Sequence, residues 1–133
     1  MVLTEQIDHW YREGAHECTI EAILGLPASE RTDGLLGELA VAYNNTGEYP
    51  KAMVVLEEMR PRLGFTWRWQ YRMGYALYYS AEKSSDPGRA GRLLSKAQEA
   101  FLNALRLGPP KLIRQECLEF LQWIREEQSQ QTK

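Results

Sequence analysis

The chain has 133 residues, 44% hydrophobic and 26% charged, enough for one domain that buries roughly two-thirds of its unfolded surface. Sixteen basic residues against eighteen acidic ones leave a net charge of −2, which excludes the basic excess or stripe that binding to nucleic acid requires. No apolar run approaches the roughly 18 residues a membrane helix needs, Met1 to Gln6 carry no basic or apolar leader, and a cytoplasmic protein without membrane contact is expected.

Helical periodicity dominates, no segment alternates cleanly enough for a strand, and seven helices are predicted. The first starts near Thr4 and carries Ile7, Trp10 and Tyr11 before Gly14. The second covers Ala15 to Leu26, with Ile20, Ile23 and Leu24 on one side and Pro27 beyond. The third follows Thr32 and Asp33, both good N-cap residues. It places Leu36, Leu39, Ala40 and Tyr43 on one face and stops at Asn45-Thr46-Gly47, where glycine can take a positive φ. The fourth runs from Pro50 to Arg60 with Ala52, Leu56 and Met59 inward.

The fifth helix spans Thr66 to Ala81, and the sixth Gly91 to Leu107, ending in Gly108-Pro109-Pro110. Between them residues 82–92 read as the one loop of any length. The seventh runs from Lys111 to about Glu127, carries a stripe of Ile113, Cys117, Phe120, Leu121 and Ile124 with Trp123 beside it, and leaves a polar tail, Gln128 to Lys133, to fray. Short connections between many helices predict antiparallel neighbours, hence a helical bundle or a solenoid.

Little in the chain suggests catalysis. His9, Glu13 and His16 share a helical spacing near Cys18, but Gly14 interrupts that face and no second cluster completes a metal site. Neither cysteine stands in a recognisable nucleophile signature, and both are expected to be buried thiols of a reducing compartment. Gly34-Leu35-Leu36-Gly37 lacks the Lys and Ser/Thr of a phosphate-binding loop. A non-enzymatic protein without cofactor or metal is expected.

Internal spacing decides between bundle and solenoid. Ala40 and Gly74 are 34 residues apart, while Ala52 to Ala97, Leu56 to Phe101 and Gly64 to Pro109 are each separated by 45. A 34-residue period with one eleven-residue insertion at 82–92 accounts for all four. The stretch 33–66 supplies Leu39, Ala40, Tyr43, Gly47, Tyr49, Ala52 and Leu56, and departs at Met59 and Gly64. The stretch 67–110 supplies Trp69, Met73, Gly74, Ala97, Phe101, Ala104 and Pro109. On these residues the chain resembles the tetratricopeptide-repeat (TPR) family, whose small residues let helices approach while larger ones fill the space between.

The resemblance implies an all-α fold, a single α-α superhelix of about three helical hairpins over residues 1–133. Residues 4–31 would form a degenerate first pair and 111–127 a capping helix, since an end unit would otherwise expose its apolar face. The Tyr43-Asn44-Asn45-Thr46-Gly47-Glu48-Tyr49 segment and the helix-pair layout also resemble small bacterial TPR proteins that accompany toxin and immunity loci.

In that family the first helix of each pair lines a concave groove that holds a peptide or a partner's helix. In the fifth helix Arg68, Tyr71, Arg72, Tyr75 and Tyr79 recur at helical spacing, apart from the apolar stripe of Trp69, Met73, Ala76 and Leu77. The matching positions of the third helix are Glu38, Val41, Asn44 and Asn45. Tyrosine and arginine supply binding energy at interfaces, and two arginines favour a carboxylate or acidic segment. The expected partner is therefore another protein or peptide, acidic or a toxin domain, bound for an immunity or regulatory role. In the competing reading Tyr71 and Tyr75 pack against the seventh helix and the arginines are solvated. A self-associating scaffold, dimeric through the groove or through Trp123 and the seventh helix, is the alternative function.

Overall fold

The computed structural model describes residues 2–131, and all its regular structure is helical. In order these are α1 (Leu3–Glu13), α2 (His16–Leu24), a 3₁₀ turn (Ala28–Glu30), α3 (Asp33–Asn45), α4 (Tyr49–Leu63), α5 (Trp67–Lys83), α6 (Pro87–Arg106) and α7 (Lys111–Gln131). Among the described residues no helix is long and apolar enough to cross a membrane. The chain divides into two compact units, Met1–Met59 and Arg60–Lys133, with the boundary inside α4.

In the first unit, α1 closes on Gly14 at φ 73°, the left-handed geometry a glycine adopts without steric cost. Arg31 holds the other end of α2: its guanidinium donates to the carbonyls of Ile23, Leu24 and Leu26 at 2.9–3.1 Å. The carbonyls of Ile23 and Leu24 belong to the last turn of α2, where a helix leaves acceptors to be satisfied from outside it. The Thr32 hydroxyl accepts from the Leu35 N–H at 3.2 Å and so starts α3 as expected. Gly47, at φ 79°, follows the end of α3. The core of this unit holds Ile7, Ile23, Leu39, Ala40, Ala52 and Leu56, each at most 4% exposed. Tyr11 and Leu24, expected inward, are exposed; at the C-terminal ends of their short helices they lie outside the buried stripe, and Thr19 is buried with Ile23 instead.

The second unit opens on the end of α4, which continues past its predicted stop at Arg60, through Pro61, to Leu63. Pro61 supplies no N–H to the helix, so the last turn of α4 lacks one backbone hydrogen bond. The Gly64 N–H donates to the Arg60 carbonyl at 2.9 Å, and a Cβ on Gly64 would meet that oxygen at 2.7 Å. Thr66 caps α5 by accepting from the Trp69 N–H at 3.3 Å.

Residues 82–92 are not a loop. Helix α5 continues to Lys83 and α6 begins at Pro87, which leaves a connection of 84–86. The Asp86 carboxylate accepts from the Gly88 and Arg89 N–H groups, and Pro87 occupies the first turn, where its missing N–H is harmless. Eight of these eleven residues therefore lie in the two helices. Similarly, Gln128 to Gln131 extend α7 rather than fray, and Thr132 and Lys133 lie outside the described residues.

Cross-helix contacts give the directions. Asn103 of α6 bonds Gln70 of α5 at 3.4 Å, and a Cβ on Gly74 would stand 2.9 Å from the Phe101 ring. As one number rises the other falls, so α5 and α6 are antiparallel. Helices α6 and α7 are antiparallel too, through Gln98 with Gln128 at 3.4 Å and Phe101 stacked on Phe120 at 4.6 Å. Tyr71 bonds Glu116 and Tyr78 bonds Glu127, so α5 and α7 run parallel. The predicted stripe of α5 is inside: Trp69, Met73, Ala76 and Leu77 are each at most 8% exposed. Of the predicted α7 stripe, Cys117, Phe120, Leu121 and Ile124 are buried and Ile113 is half-buried.

Candidate functional site

The second unit carries an aromatic face built by α5 and α7. Its base is Phe101, fully buried and stacked flat on Phe120, the rings inclined by 7°. Around Phe120 stand Tyr75 at 5.8 Å, Tyr78 at 5.2 Å, Tyr79 at 6.0 Å, Tyr71 at 6.5 Å and Trp123 at 5.3 Å, each edge to face. These are the separations and angles at which a positive ring edge meets a negative ring face. Tyr75 and Tyr79 also lie 4.8 Å apart on one turn of α5.

Two hydroxyl groups fix this face to α7. Tyr71 Oη donates to Glu116 Oε2 at 2.5 Å, and Tyr78 Oη donates to Glu127 Oε1 at 3.0 Å. Burial first, and then the bonded carboxylate, push both tyrosine pKa values far above the ordinary range, so each remains a donor. Between them Cys117 is buried, and burial with the nearby Glu116 charge raises its thiol to about 11.

The predicted binding residues of α5 divide accordingly. Tyr71, Tyr75 and Tyr79 are half-buried and engage α7 through rings and, for Tyr71, a hydrogen bond. Arg72 is half-buried. Arg68 is exposed, with its guanidinium 4.6 Å from the Trp67 ring centre, a cation–π contact. The tyrosines thus use one side against α7 and keep part of their surface open. Trp123, 40% exposed, continues the open aromatic surface onto α7. Sequence reasoning missed Tyr78, Glu116 and Glu127. A helical tyrosine with a carboxylate on the parallel helix leaves no one-dimensional signature.

In the first unit the third-helix positions do not form one surface. Asn44 is buried, 6% exposed, Asn45 is exposed, and Val41 and Glu38 are half-buried. Glu38 lines a cleft of about 480 Å³, together with Glu5 and Asp8 of α1 and the apolar Ile7 and Leu35. Among the described residues no three His, Cys, Asp or Glu side chains stand close enough to hold a metal ion. His16 packs edge-on against Tyr11 at 5.8 Å. The two cysteines differ: Cys117 is buried as expected, whereas Cys18 is exposed on the solvent side of the short α2.

Comparison of the chain with family models, with curated proteins and with solved structures finds no match.

Proposed function

We propose that the chain is a TPR-type α-α superhelix that binds another protein through the open side of α5, without catalysing a reaction. One observation carries this reading: Tyr75 and Tyr79 pack edge-on against Phe120 yet stay partly open, with Arg72 on the same helix and Trp123 against Phe120 on α7. Pre-ordered aromatic side chains with arginine bind a partner with little further loss of side-chain entropy. Arg68 and Arg72 would select a carboxylate or an acidic segment. The TPR assignment is supported by the antiparallel α5–α6 pair, by α7 returning parallel to α5, and by the close approach of Gly74 to Phe101. An immunity or regulatory protein in the cytoplasm is the role implied by the segment Tyr43 to Tyr49.

Affinity capture with the chain as bait, compared with an Arg72→Glu/Tyr75→Ala variant of unchanged helical circular dichroism, tests the proposal. A dominant captured protein whose affinity falls at least tenfold in the variant is expected. Equal capture by both would remove α5 as the binding surface. The second reading, self-association through α7, is favoured by the exposure of Leu118 and Trp123, at 53% and 40%. A mass that doubles with concentration, and stays single in Trp123→Ser, would select it.

A further inference from the structure

The net charge of −2 is unevenly divided along the chain. Residues 1–59 hold eleven acidic and three basic side chains, whereas residues 60–133 hold seven acidic and thirteen basic ones. Within the second unit the cations gather at one end. Because α5 and α6 are antiparallel and α7 runs parallel to α5, the α4–α5 turn, the end of α6 and the start of α7 lie together there. A chain of hydrogen bonds ties this end: Gln70 Nε2 donates to the Gly64 carbonyl at 2.7 Å, Asn103 Nδ2 to Gln70 Oε1 at 3.4 Å, and Arg106 Nη1 to Asn103 Oδ1 at 2.9 Å.

The stretches 59–81 and 100–115, which build this end, contain no aspartate or glutamate. They expose Arg60, Arg62, Arg68, Arg106, Lys111 and Arg114. The nearest acidic residues along the chain are Glu57 and Glu58 on α4 and Glu116 on α7, the last bonded by Tyr71. The same end also exposes apolar side chains. Phe65 in the α4–α5 turn is 71% exposed, Leu112 in the first turn of α7 is 65% exposed, and Leu107 after α6 is 44% exposed. Among the described residues Phe65 and Leu112 are the two most exposed large hydrophobic side chains. Cations alone fit any polyanion, but a soluble polyanion offers no apolar layer for two leucines and a phenylalanine. An anionic bilayer offers both, negative headgroups above an acyl boundary that apolar side chains can enter.

We propose that this end of the second unit docks peripherally on an anionic lipid surface, with Phe65, Leu107 and Leu112 entering the acyl boundary and the surrounding cations on the headgroups. Neither the total charge nor the lack of a membrane-spanning run, on which the expectation of no membrane contact rested, registers such a local patch.

Co-sedimentation of the full chain with vesicles tests this, using phosphatidylcholine alone and phosphatidylcholine mixed with phosphatidylserine, at low and high salt. Binding is expected to the mixed vesicles only, and should fall as salt screens the headgroups. Arg106→Glu with Arg114→Glu should lower it about tenfold or more, and so should Phe65→Ser with Leu112→Ser. All four side chains are exposed, and Arg72 and Tyr75 stay in place, so partner binding by α5 is tested separately. No sedimentation with the mixed vesicles, or equal sedimentation with phosphatidylcholine alone, would overturn the proposal. So would vesicle binding unchanged in either variant; unchanged in the apolar variant alone, it would mark a site for any polyanion, acidic peptide and nucleic acid included.

Discussion

In residues 1–59 the fully buried side chains are small or aliphatic, Ala40, Ala52, Ile23 and Leu56, and Tyr43 is the one buried ring among the described residues. In residues 60–133 the same helical architecture closes on rings, with Phe101 and Phe120 stacked at the centre and four tyrosines and a tryptophan around Phe120. The polar ties differ as well. The first unit satisfies helix ends locally, through Arg31 and Thr32, whereas the second joins helices distant in sequence through Tyr71–Glu116 and Tyr78–Glu127. Aliphatic packing is non-directional and proportional to the area buried. Ring edges and hydroxyl bonds are directional, and they hold side chains in fixed orientations while part of each ring stays exposed. A surface that must be ordered before a partner arrives gains from the second kind of packing.

Five substitutions would break or sharpen this contrast, each followed by urea unfolding monitored by circular dichroism. Phe101→Ala should cost about 3–5 kcal/mol, as removal of a buried ring does, and should also abolish the near-ultraviolet signal of the surrounding tyrosines. A loss under about 1 kcal/mol would mean that the stack is not the centre of the second unit. Next, Ala40→Leu and Gly74→Ala place added carbon into close helix contacts, one in each unit, and overpacking costs about 1–3 kcal/mol. Gly74→Ala should lie at the lower end, because a helical alanine gains about 1 kcal/mol over glycine. It should still destabilise, since the Phe101 ring 2.9 Å away is itself pinned by Phe120. A more stable Gly74→Ala protein would show that the ring can yield. The smallest effect belongs to the helix caps: Thr32→Ala and Thr66→Ala should each cost about 1 kcal/mol. Equal losses would show that local capping contributes alike in both units and that their difference lies in the cores.

The number and order of the helices were legible in the chain because apolar spacing and capping residues act locally. Thr32, Thr66, Gly14 and Gly47 each mark a boundary by the hydrogen bond or backbone angle that the residue itself supplies. The apolar stripe of α5 and most of that of α7 followed from the same periodicity. The polar, glycine-rich stretch at 82–92 misled for a local reason as well: loop composition outweighed Asp86-Pro87, which is a helix start. What tertiary structure alone decided is which side of each tyrosine is used. Tyr71, Tyr75 and Tyr79 occupy helical positions that fit a solvent face or a helix contact equally well, and the choice depends on Phe120 and Glu116, more than forty residues later in the chain. The pairing of Tyr78 with Glu127 is of the same kind. Periodicity places a residue on a face of its own helix, but what that face meets is set only when α7 folds back parallel to α5.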